Sequence, residues 1–225
     1  MSANSTQGDK ARPHFGLLLL ISFTLFNIGY LVDQTVRWSD HGQGFLNGVC
    51  HILFLGLEWC FTLLPWSLVV FALYRWRKWQ RFRTQWVLAP AVLVLFATLG
   101  GLLLQPPTPA KRFKNFAKIE LPANVQNLHC HFTGGGIADY TDTYYFETTP
   151  EEVDRIISEM HLDEDSSYGQ VGSTYSIISP LADCPDFSTW KGAKQYRGGD
   201  DEQHWFYYLI TDTTRTKVYM MIGCT

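Results

Sequence analysis

Hydrophobic and polar positions divide the chain in two. Up to Leu104 the apolar residues come in long runs. Beyond it they alternate with polar ones in short segments. The first run, Phe15 to Val32, carries no charge. A helix rises about 1.5 Å per residue and needs roughly 20 residues to cross the hydrocarbon, so this run predicts a transmembrane helix over about 15–34. A cleaved signal peptide is the rival reading, favoured by Lys10 and Arg12. The run is long for that, and no small-x-small cleavage site comes after it. The second run, Phe45 to Tyr74, has Glu58 as its only formal charge and is longer than a span requires. It predicts a helix over about 50–73, with the glycine-rich His41 to Gly48 left as an interfacial loop. The third, Trp86 to Leu104, is again uncharged; Pro90 falls near its start, and Pro106, Pro107 and Pro109 stop it.

Residues 105–118 form a proline-rich, basic stalk. In the remainder, 119–225, two short strand candidates occur within 124–132 and over 143–147. Then comes Thr149-Pro150-Glu151-Glu152, where Thr149 is a helix N-cap, Pro150 takes the first helical position and Glu152 can close a capping box. Val153, Ile156, Ile157 and Met160 repeat at helical spacing and form one apolar face. His161 to Lys194 is turn-like, with Thr174–Ser179 as a short strand candidate. The chain ends in two further strands, around Trp205–Ile210 and Lys217–Gly223. In the first of these, Trp205, Tyr207 and Leu209 share one face and Phe206, Tyr208 and Ile210 the other; both are apolar, so the strand is covered on both sides. The fold class is therefore three transmembrane helices, preceded by a tail over 1–14 and succeeded by a small α+β domain with an antiparallel sheet and one packed helix.

Charge changes the picture in one place. Arg75, Arg77, Lys78, Arg81 and Arg83 lie in nine residues without an acid, interleaved with Trp76 and Trp79. Basic residues with aromatics suit nucleic acid. Yet a nucleic-acid protein carries its positive footprint on the folded module, and from Ile119 onward there are 17 acidic and six basic side chains. A basic segment joining two spans is instead the mark of a cytoplasmic loop, its Arg and Lys reaching anionic lipid headgroups and its Trp lying at the interface. That assignment places 1–14 in the cytoplasm and 119–225 outside it, in the plasma or inner membrane. The second basic cluster, Lys111 to Lys118, argues the other way, but it is less dense.

Chemistry is sparse. His129 and His131 share a strand face and are weak metal candidates, needing a third ligand from Asp139, Asp142 or His204; an edge strand's polar face explains them as well. Gly134–Gly136 lacks the context of a phosphate loop. Tyr196 to Glu202 reads as a solvated acidic loop. No motif asks for a cofactor, and no nucleophile comes with a placed base. In the membrane part, Glu58 is the costly residue, with His51 two turns away on nearly the same face; the pair is a membrane polar site, packed inside the bundle or serving a proton path. Three function classes remain: a membrane-anchored binding or sensing module, an accessory or immunity-type subunit of a membrane complex or homo-oligomer, and a proton-coupled transporter component or metal-dependent enzyme.

Overall fold

The computed structural model describes residues 14–77, 82–135, 139–165, 180–200 and 204–224. Three long apolar helices, α1 (Phe15–Arg37), α2 (His41–Arg77) and α3 (Arg83–Leu104), precede a small domain built on a six-stranded antiparallel sheet. By length and hydropathy each of the three is able to cross a membrane, as expected for an integral membrane protein. The chain forms two units. One comprises residues up to Val32 together with His51–Gly101; the other comprises Asp33–Cys50 and Leu102–Thr225.

In the helical unit, α1 buries Leu18, Ser22, Phe26 and Asn27. Trp59 of α2 is buried and its indole donates to Ser22 Oγ at 3.3 Å, with Phe23 edge-on to the ring. Helix α3 buries Val87 and Ala91. The carbonyl of residue 86 would ordinarily accept from the N–H of residue 90, but Pro90 has none. Trp66 of α2 supplies the missing donor, its Nε1 lying 2.8 Å from Trp86 O. An interhelical bond of this kind contributes about 0.6 kcal/mol on average in a bilayer and up to about 1.7. Trp66→Phe should therefore weaken the α2–α3 contact by about that much in detergent unfolding, and by less in a Pro90→Ala background, where the backbone regains its own donor. Equal losses in both backgrounds would show that the indole does not serve that carbonyl.

Helix α2 begins at His41, not near residue 50, and the stretch read as an interfacial loop is its first two turns. Asp40 explains the start: its Oδ1 accepts from the N–H groups of Gly42 and Gln43 at 2.8 and 3.1 Å, satisfying donors that the first turn leaves free. The glycines permit close approach. A Cβ on Gly44 would lie 2.6 Å from Gln34 O and 3.0 Å from the Trp38 ring.

The sheet runs β1 (Gln126–Gly135), β2 (Asp139–Glu147), β6 (Lys217–Cys224), β5 (Trp205–Thr211), β4 (Lys194–Asp200), β3 (Asp163–Glu164). Strands β2 and β6 pair along eight residues from Tyr140↔Cys224 to Glu147↔Lys217. Alternation sends Phe132, Tyr144, Phe146, Leu209, Val218, Met220 and Ile222 to one face, where α4 (Pro109–Ala117) and α5 (Pro150–Glu159) supply Phe113, Val153 and Ile156. The other face holds Tyr145, Ile210, Tyr219 and Met221 under Phe187. Strand β5 is covered on both sides, as its residue pattern requires.

Three local expectations change. Residues 105–118 contain a folded helix, α4, capped by Thr108, whose Oγ1 accepts from Lys111 N at 3.4 Å, with Pro109 in the first turn. The prolines that end α3 thus start the next helix. Helix α5 keeps its predicted face, but Thr149 makes no side-chain cap bond; Glu152 pairs with Arg155 instead. Finally, Tyr196 to Asp200 of the stretch read as an acidic loop enter the sheet in β4, which pairs with β5 from Lys194↔Thr211 to Asp200↔Trp205; Asp201 and Glu202 lie outside the described residues. The strand candidate at 174–179 lies outside the described residues.

Candidate functional site

A buried polar constellation in the sheet domain is centred on Arg112. Helix α4 turns its Phe113 and Ala117 inward, and Arg112 goes in with them, 4% exposed. On β2, Asp142 points to the same face and is 0% exposed. The two meet as a fork: Arg112 Nε donates to Asp142 Oδ2 at 3.0 Å and Nη2 to Oδ1 at 2.6 Å. Tyr144, two residues along the same strand face, donates its hydroxyl to Oδ2 at 3.1 Å. Both carboxylate oxygens are thereby used, as a buried charge requires.

Aromatic rings enclose the guanidinium. Its carbon lies 4.3 Å from the centre of Phe132, 5.1 Å from Trp38 and 5.2 Å from Phe116, distances at which ring faces attract a cation. Trp38 belongs to the turn between α1 and α2. Beside it, Ser39 N donates to Phe132 O at 3.2 Å, and Phe132 N donates to Ser39 Oγ at 2.9 Å. Strand β1 is an edge, and Ser39 thus occupies backbone groups that would otherwise invite another strand. One pair of residues, 38 and 39, closes the cage and blocks the edge.

Burial dominates the electrostatics. It pushes the Asp142 carboxyl above its ordinary value, the hydrogen bonds from Arg112 and Tyr144 opposing it. It raises the Tyr144 hydroxyl strongly, with the Asp142 charge acting in the same direction. The Cys130 thiol is half-buried on the same side of the sheet and is likewise raised, by burial first and then by Asp142. With both partners enclosed, the pair offers no face to a substrate. Its chemistry is that of a clamp joining α4, β2 and the α1–α2 turn.

The predicted candidates lie elsewhere. His129 and His131 are exposed on the opposite sheet face, across β2 from Tyr145 and Thr143. Asp142 points away from them and is engaged by Arg112, so it is not their third ligand. Among the described residues no group of three or more His, Cys, Asp or Glu is placed to hold a metal. No disulfide joins any two of the five cysteines. Glu58 is exposed on the outside of the helical unit, its backbone carbonyl accepting from Thr62 Oγ1 at 2.7 Å. This differs from a position inside the bundle: Trp59, the neighbouring residue, takes the inward direction, and Glu58 lies about 100° around the helix from it. His51 is half-buried, its ring 6.0 Å from that of Tyr30. In the basic segment, Arg75 and Trp76 are exposed, Arg77 is the last residue of α2, and Arg83 begins α3 with its guanidinium 4.7 Å from the Tyr74 ring centre. Lys78, Trp79 and Arg81 lie outside the described residues.

A polar recess of about 210 Å³ opens at the far end of β1 and β2, lined by Asn124, Gln126, Glu147, Thr148, Thr149 and Thr216. Thr148 Oγ1 bonds Asn124 Oδ1 at 2.7 Å across it. Sequence reasoning passed over Arg112, Trp38, Tyr144 and this recess. The available signal was the pair Thr108-Pro109, which repeats the Thr149-Pro150 helix start, with Phe113, Phe116 and Ala117 beyond it at helical spacing.

No protein-family model matches this chain, and no curated protein or solved structure matches it either. The class of protein is therefore defined by architecture: an integral membrane chain with three apolar helices and a six-stranded α+β domain.

Proposed function

We propose that this protein anchors a small binding or sensing domain on the extracytoplasmic side of the plasma or inner membrane, with Arg75–Arg83 in the cytoplasm. The observation that carries the reading is the Arg112 clamp. Only Gln105 to Thr108 separate α3 from α4, and α4 is then locked to the sheet by a buried fork and a buried Phe113. A domain on so short a tether suits presentation at a membrane surface better than long-range reach. The open polar recess beside Thr148 and Thr149 offers hydroxyl, amide and carboxylate groups to a small polar ligand. Sidedness rests on the density of Arg and Lys between α2 and α3. Reporter fusions at Lys78 and Thr225 test it: the Lys78 fusion is expected to report cytoplasm and the Thr225 fusion the opposite side. A cytoplasmic Thr225 fusion would reverse the orientation while leaving three spans intact.

A second reading, an accessory subunit of a membrane complex, is favoured by Glu58. An exposed carboxyl among the exposed Leu53, Phe54, Leu57 and Phe61 costs about 2.5–3.5 kcal/mol at the centre of a lipid-facing helix, on the insertion scale for an acidic residue. A partner helix donating to that carboxyl removes the cost. In mild-detergent pull-downs, Glu58→Leu should lose a membrane partner that Glu58→Gln retains. Identical co-purification from wild type and both variants would remove this reading.

A further inference from the structure

We propose that the cleft between α2 and α3 at the Arg83 end is a binding site for one anionic phospholipid. Trp66, Val69, Val70, Leu73, Tyr74, Arg83 and Trp86 line a cavity of about 140 Å³. Its walls are apolar except at one end. There Arg83, the first residue of α3, holds its guanidinium against the Tyr74 ring. The long axis matches a lipid. Tyr74 lies eight residues beyond Trp66 on the same helix, roughly 12 Å along the axis. Arg83 precedes the uncharged run of α3 by one turn, which puts it at headgroup depth, while Val69, Val70 and Trp66 descend into the hydrocarbon. A cleft with a cation at its mouth and a dry floor admits a phosphate above and part of one acyl chain below. Basic pockets between helix ends are where acidic headgroups bind.

The floor is also fixed in shape. The Trp66 indole is held by the Trp86 carbonyl, and the two rings lie 6.3 Å apart. The cleft is thus present before the lipid arrives, which lowers the ordering cost of binding. Charge complementarity selects the occupant: a zwitterionic lipid offers its phosphate together with a cation, whereas phosphatidylglycerol offers a net negative charge to Arg83. The inference rests on the three-span architecture and not on which side the loop faces. A failed sidedness assay and a failed lipid assay are therefore independent outcomes.

The test uses the full chain, delipidated in mild detergent and titrated with phosphatidylglycerol or phosphatidylcholine, with bound lipid counted by native mass spectrometry. One tightly retained phosphatidylglycerol per chain is expected. Arg83→Gln should weaken it about fivefold, the worth of one headgroup cation, without changing phosphatidylcholine binding. Val70→Trp, which fills the floor, should remove the retained lipid whatever its headgroup. Melting temperatures of both variants within the wild-type range show that the helices still pack. Arg75→Gln, on the same basic segment but outside the cleft, should leave the bound lipid in place. If Arg75→Gln weakens binding as much as Arg83→Gln, the attraction is diffuse and the site does not exist; if glycerophosphate alone displaces the lipid at equal concentration, the acyl chain adds nothing and the cleft is not a lipid site.

Discussion

Replacing Asp142 with alanine should destabilise the sheet domain by about 3–5 kcal/mol, the usual consequence of leaving one member of a buried ion pair without the other. Arg112 is 4% exposed and Asp142 is 0% exposed, so water cannot take over from the missing partner. Asp142→Asn should be nearly as harmful. It keeps the shape and offers one acceptor, but Arg112 retains a buried charge with no counter-charge. The informative variant is the double replacement Arg112→Met with Asp142→Leu. Both charges disappear, the Met chain keeps contact with Phe132 and Trp38, and stability should return to the wild-type level or above. Labelling of the half-buried Cys130 thiol in graded denaturant, read by peptide mass spectrometry, tracks the opening of this region without a signal from the helical unit. If the double variant is as unstable as Asp142→Ala, the pair contributes net stability and burial is not the dominant cost. The pair also confers a pH dependence of definite sign. The folded carboxyl titrates above its ordinary value of 3.8. Its contribution to stability is full below about that pH and is lost as pH rises through the raised folded value. Removing Asp142 in the double variant should remove that slope.

The second large effect is expected at Phe113. This ring is completely buried, edge-on to Tyr144 at 5.2 Å and to Phe146 at 6.3 Å. Truncation of a buried Phe to Ala costs about 3–5 kcal/mol. Ile156→Ala on α5, also fully buried, should cost about 2–5 kcal/mol by the same mechanism. A stalk residue would cost nothing, so Phe113→Ala separates a folded α4 from a spacer directly. Denaturation midpoints for the two variants should fall together. A midpoint unchanged by Phe113→Ala would detach α4 from the domain.

Much of the architecture was legible because its determinants are local. Apolar runs of 18 or more residues with at most one charge announce a span whatever the rest of the chain contains. Helix α5 announces itself through Thr149-Pro150 and the spacing of Val153 and Ile156. Helix α4 has the same start, yet Lys111, Arg112, Lys114 and Lys118 made it read as a basic stalk. Whether a basic residue is solvated or buried depends on what faces it. Here that is Asp142, thirty residues away, and no local pattern connects them. Strand β4 was hidden by Gly198 and Gly199, which resemble a turn. They are strand residues because β5 lies alongside: a Cβ on Gly199 would lie 2.5 Å from Trp205 O. The candidate chemistry was less legible still. His129 and His131 share a face as alternation demands, but the acid that mattered points to the other one.

The turn between the first two helices has a consequence for biogenesis. Trp38 and Ser39 are synthesised early, and Ser39 waits for Phe132, 93 residues later. Two apolar helices separate that turn from the sheet domain, so the two share a compartment when α2 and α3 both cross and are parted when only one does. A nascent chain that skips one crossing strands them on opposite sides. Its Arg112 then lacks the Trp38 wall, and its β1 edge keeps unpaired backbone groups at Phe132. Mis-inserted molecules would carry an open strand edge, the kind of feature that proteases and chaperones recognise. Completion of the domain thereby excludes molecules in which only one of α2 and α3 has crossed.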